Sequence, residues 1–147
     1  MKQGKLTNEQ LNQIVLSHLH KRRSETAIGP AVGEDCAVMH WDADLLVMTT
    51  DHITAAAEGA GSLAVDVCCN DIASAGAEPV ALLLTLLVPP SAEVSDIEAV
   101  VCDAERAANA VGADIVGGHT EITDAVTRIV ISATAIGRAK KCVVSTS

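Results

Sequence analysis

Three carboxylates in this 147-residue chain stand where side chains can converge on a ligand. Asp35 follows Gly33-Glu34 at the start of an apolar run, and Asp51 ends another at Thr49-Thr50-Asp51. Asp71 lies beside Asn70 within an otherwise apolar helical stretch. Carboxylates at strand tips and on a neighbouring helix suit a hard cation such as magnesium, which takes oxygen ligands and retains bound water and phosphate. Each alone fits a helix cap or a solvated turn equally well. Gly117-Gly118, followed by His119-Thr120-Glu121, reads as a tight glycine loop whose backbone amides can face a phosphate. His52 and His119 each adjoin such a position and, with Asp51 and Glu121, offer a transition-metal site as an alternative, although no clustered His or Cys spacing supports it. Gly59-Ala60-Gly61-Ser62-Leu63-Ala64 matches G-x-G-x-x-A, but seven residues separate it from Asp51, whereas a dinucleotide fingerprint follows its strand directly. The chain has no P-loop and no nucleophile elbow.

The elements that must hold these residues follow from apolar spacing and turn chemistry. Thr7-Asn8-Glu9-Gln10 has the form of a capping box and opens a helix running to about Lys21. Cys36 to Met39 and Leu45 to Thr50 read as strands joined by the polar turn Trp41-Asp42-Ala43-Asp44. Ser62 is placed to cap a second helix ended by Gly76. Val80 to Val88 is apolar but for Thr85, which predicts a strand buried on both faces. Ser95-Asp96-Ile97-Glu98 resembles another capping box, and Gly112 is a natural terminus for the helix it opens. Ala113 to Val116 and Thr127 to Ile136 complete the strands. The order predicts a mixed α/β domain with helices on one face of the sheet.

Composition narrows the partners. Ten basic residues against nineteen acidic ones leave a formal charge of -9, which opposes a nucleic-acid backbone and an anionic membrane surface. A nucleotide remains compatible when a divalent cation sits between carboxylates and phosphates. Phe and Tyr are absent and Trp41 is the single aromatic, so the core must be aliphatic and rich in alanine. No run is long and apolar enough to span a bilayer, and five cysteines without C-x-x-C spacing suit buried thiols in a reducing compartment. The expected location is cytoplasmic.

Taken in order, Gly33-Glu34-Asp35-Cys36-Ala37-Val38, Thr49-Thr50-Asp51, Asn70 to Pro79 and Gly117 to Glu121 resemble the aminoimidazole ribonucleotide synthetase superfamily. That group includes selenophosphate synthetase, thiamine monophosphate kinase, formylglycinamidine ribonucleotide synthetase and the hydrogenase maturation dehydratase. The resemblance implies a lead-in over 1–32, an ATP-binding N-terminal domain over 33–137 and a tail over 138–147. It further implies a homodimer whose two sheets pair into a barrel-like core, with ATP in a groove nearby. By motif, Asp35, Asp51, Asn70, Asp71, Gly117, Gly118 and Thr120 would serve the nucleotide, and Asp35, Asp51, Asp71 and Glu121 the magnesium. The implied chemistry is phosphorylation of a weakly electrophilic oxygen, or phosphate transfer to an acceptor. His119 stands where the family carries an acid; Glu121 compensates, His119 serves a phosphate or a proton, or a metal site is lost. The family's C-terminal domain does not follow Gly137, so the acceptor site is expected in a missing domain or a separate subunit. A non-catalytic dimerisation or regulatory module of the same fold is the other reading.

Overall fold

The computed structural model describes residues 7–20, 23–34, 36–54 and 58–141. Asp35 and Cys142 lie outside them. A short helix α1 (Asn8–Ile14) and a 3-10 turn (Leu16–His18) lead into β1 (Thr26–Ile28), β2 (Ala37–Trp41) and β3 (Asp44–Ile53). Helix α2 (Ala60–Ser74), β4 (Glu78–Val88), α3 (Val94–Val111), β5 (Asp114–Ile122) and β6 (Val130–Ala139) complete the chain. The six strands form one mixed sheet in the order β1-β2-β3-β6-β4-β5. Only β4 and β5 pair in parallel, because α3 carries the chain back between them. The mixed α/β architecture expected from the sequence is thus present, with the sheet open rather than closed within one chain.

Helices α2 and α3 pack on the same face of the sheet. Alternate strand residues turn towards them: Val47 and Thr49 from β3, Leu82, Leu84, Leu86 and Val88 from β4, and Ile131, Ala133 and Ala135 from β6. With Val65, Cys68, Ile72, Ala104 and Ala108 from the helices, they form an aliphatic core. Small side chains permit the close approach. At Gly61 any Cβ would collide with the Val100 carbonyl and the Ala104 amide of α3. The G-x-G-x-x-A stretch therefore serves helix packing, which explains why it sits away from any strand end.

Several local expectations change. The capping box at Thr7 and Gln10 forms, but α1 stops at Ile14 and gives way to the 3-10 turn. Ser62 does not cap α2: Gly59 is the cap residue, and the Ser62 amide donates to Asp103 Oδ2 of α3 at 2.7 Å. The capping box of α3 uses Glu93 and Asp96 rather than Ser95 and Glu98. Asp42 and Ala43 alone turn the β2–β3 hairpin, with Asp42 at a positive φ that a short polar residue tolerates. The three-residue β1 escapes the sequence reading because it carries too few residues to show a period.

Val80 to Val88 is not buried on both faces. Leu82, Leu84, Leu86 and Val88 are buried under the helices, whereas Leu83 and Val80 are each at least 40% exposed. The helix-free face of the sheet also presents Leu46, Met48, Val130 and Ile136. Among the described residues no helix is long and apolar enough to cross a membrane.

Candidate functional site

Strand β3 pairs with β2 as far as Met48 and with β6 through Ile53, and the pairing with Ala135 and Ala133 of β6 sets Thr49 and Asp51 on the helix-bearing face. Helix α2 lies over that face and brings Asp71 down beside them. The Thr49 hydroxyl donates to Asp71 Oδ2 at 3.1 Å. The Ser74 hydroxyl and the Cys36 thiol donate to the Asp71 carbonyl at 2.9 and 3.5 Å. Asp51 Oδ1 accepts from the His52 amide at 2.8 Å, so that carboxylate is turned along the strand end.

Cys68 of α2 is buried near both acids and its thiol donates to the Ala133 carbonyl at 3.5 Å. Burial pushes its thiol up to about 11, with the nearby Asp51 and Asp71 adding in the same direction and the Asp51 backbone opposing. Burial also raises the Cys69 thiol, with Asp66 contributing. These are core thiols, as the sequence suggests; Cys102, by contrast, is exposed on α3.

Of the residues singled out in the sequence, the structure puts Asp51 and Asp71 on the same side of the sheet, ties Asp71 to Thr49 two residues before Asp51, and places Cys36, the neighbour of Asp35, against Asp71. Asn70 precedes Asp71 on α2 and is exposed. Thr49 and Asp103 were not singled out as site or capping residues. The signal for Thr49 was its parity with Val47, which puts a hydroxyl on the buried side of β3.

Gly117 to Glu121 is not a tight loop but part of β5, paired along β4 from Leu83 to Leu87. The register slips by one residue at Val116. At Gly118 any Cβ would strike the Leu84 backbone, so glycine there serves strand contact. As the sheet's edge, β5 still leaves one row of backbone groups unpaired within the described chain. Gly117, Gly118 and Thr120 thus lie three strands from Asp51, about 14 Å at ordinary strand spacing.

His52, Ser132, Thr85 and His119 stand in one row across the helix-free face, by the pairing of β3, β6, β4 and β5. His52 and His119 are likewise about 14 Å apart, too far to share an ion within one chain. His119 Nε2 lies 3.6 Å from Glu121 Oε2, which sets Glu121 on the helix-free face as well, opposite Asp51 and Asp71. Among the described residues no three His, Cys, Asp or Glu side chains gather closely enough to hold a metal by themselves. The oxygen donors of Asp51 and Asp71 do suit a hard cation that completes its shell with phosphate and water.

A cavity of about 810 Å³ lies elsewhere, between the start of α2, α3 and the start of β6. Its charged lining includes Glu58, Asp96, Asp103, Arg106 and Arg128. Asp103 and Arg106 are paired with each other, and Asp103 also caps α2, so these groups are engaged in holding the fold.

Comparison with known proteins agrees with the motifs. A hydrogenase expression/formation protein of Methanocaldococcus jannaschii is 30% identical over 139 residues, covering 91% of this chain and 42% of that protein. The solved structure of AaThiL complexed with AMPPCP and TMP superposes with a TM-score of 0.72 at 24% identity, over 95% of this chain and 46% of that one. The hydrogenase maturation protein HypE in complex with ATP gives 0.59 at 24% identity, over 92% and 40%. The chain spans less than half the length of these relatives. Residues 33–139 match the family described as AIR synthase related protein, N-terminal domain, and the chain belongs to that family.

Proposed function

We propose that this domain binds ATP with magnesium and forms the nucleotide-holding half of an ATP-dependent phosphoryl-transfer enzyme. The observation that supports the reading is the bond from Thr49 of the Thr49-Thr50-Asp51 strand segment to the Asp71 carboxylate on the helix-bearing face, with Cys36, next to Asp35, donating to the Asp71 carbonyl. Asp35, Asp51 and Asp71 would hold the metal, with Asn70 beside them, and the nucleotide's phosphates would complete its shell. The metal's charge would offset that building up on the transferred phosphoryl group, which is where most of the rate enhancement in such chemistry arises.

The helix-free sheet face supports a homodimer, since Leu83 is exposed on it and Leu46, Met48, Val130 and Ile136 are only half-buried there. Pairing of two such faces would supply the barrel-like core. Gly117, Gly118, Thr120 and Glu121 would then meet a nucleotide held across that junction rather than within one chain. The acceptor would bind in a C-terminal domain or a separate subunit, in the cytoplasm.

Calorimetric titration of ATP, with and without magnesium, tests the reading. Saturable magnesium-dependent binding that Asp71→Asn loses is the expected result. Equal binding with and without the metal, or none to a folded chain, would favour a non-catalytic module of the same fold.

A further inference from the structure

Thr49 is 5% exposed, and no other polar side chain among the described residues is buried in the core. Its neighbours on that face are Val47 along the strand and Ala133 and Ala135 across it, so a hydroxyl here is costly unless it is bonded. A valine would fill the same volume without that cost. The hydroxyl instead donates to Asp71 Oδ2. Thr49 is β-branched and is paired with Ala135 of β6, so its χ1 and its backbone are both restricted. The backbone end of Asp71 is held separately, through the carbonyl that accepts from Ser74 and Cys36. Thr49 reaches the carboxylate itself.

We propose that Thr49 is a positioning residue: it fixes the orientation of the Asp71 carboxylate so that the oxygens are presented to a divalent cation rather than rotating about the side chain. The role rests on the nucleotide-site reading above. It assigns a purpose to a buried hydroxyl that packing alone does not require.

The test compares the whole chain carrying Thr49→Val, Thr49→Ser or no substitution, by titrating ATP at a series of magnesium concentrations. Circular dichroism and thermal melting confirm that each variant folds. Thr49→Val should need roughly tenfold more magnesium for half-maximal ATP binding, the scale of losing an outer contact to a metal ligand. Thr49→Ser, which keeps the hydroxyl, should restore the native requirement. A native requirement in Thr49→Val would overturn the inference while leaving the nucleotide reading intact. So would an equal loss in Thr49→Ser, because the methyl group and not the hydroxyl would then matter. Absence of magnesium-dependent binding in the unsubstituted chain would remove the nucleotide reading and this inference with it. Should Thr49→Val fail to fold, Thr49→Ala provides the same comparison.

Discussion

Asp51 and Asp71 are legible as site residues because each breaks an apolar pattern: one closes the apolar run of β3, the other interrupts the apolar stripe of α2. That Asp71 meets the Thr49-Thr50-Asp51 segment is not legible, since it depends on α2 crossing over β3. Thr49 lay hidden for the opposite reason. Threonine is common in strands, and nothing local distinguishes a buried hydroxyl from a solvated one until its face is known. Two glycines usually mark a turn, which predicts a loop at His119 and Glu121. Here Gly118 is required by the closeness of β4, and the strand continues through it to Ile122. The consequence is chemical: Glu121 faces away from Asp51 and Asp71 within one chain, so compensation for His119 must involve the helix-free side.

Among the elements, the long helices and the strands β3, β4 and β6 followed from apolar spacing, with ends shifted by a few residues. What the spacing did not show is how α2 begins. Its first turn has no acidic residue and no side chain of its own as a cap, yet Asp103 of α3 accepts from the Ser62 amide. That bond, followed by the bond from the Ser62 side chain and the Arg106 charge, holds the Asp103 carboxyl below its ordinary range. A tertiary contact thus replaces a local cap, a choice invisible in any window of sequence around Gly59. Asp103→Ala should cost about 1 kcal/mol in urea unfolding at neutral pH, the usual scale of a lost cap. Because the folded value is lowered, this stability is present above the unfolded carboxyl's range and is lost as pH falls through the lowered value. The variant and the native chain should therefore converge in stability in acid. A variant as stable as the native chain at neutral pH would show that Ser62 finds another partner.

On the scale of the molecule, the sheet has one face under helices and one without them, and the second is the more consequential. The sequence suggested a strand buried on both faces at Val80 to Val88, and the chain by itself buries only one. The apolar run is explained if another surface covers Leu83 and its neighbours, which agrees with the proposed homodimer. Sedimentation of the native chain should give a dimer, and Leu83→Asp should shift it to a monomer while the helical dichroism is retained. A native monomer at micromolar concentration would contradict the pairing of sheets, though not the nucleotide site.

The most direct test of that site is an amide chemical-shift map of the isotope-labelled chain on addition of ATP with magnesium. The account predicts the largest changes at Thr49, Thr50 and Asp51 and at Asn70 and Asp71, absent when the metal is withheld. Changes centred instead on the cavity beside Glu58, Asp96 and Arg106 would place the ligand elsewhere and contradict the account.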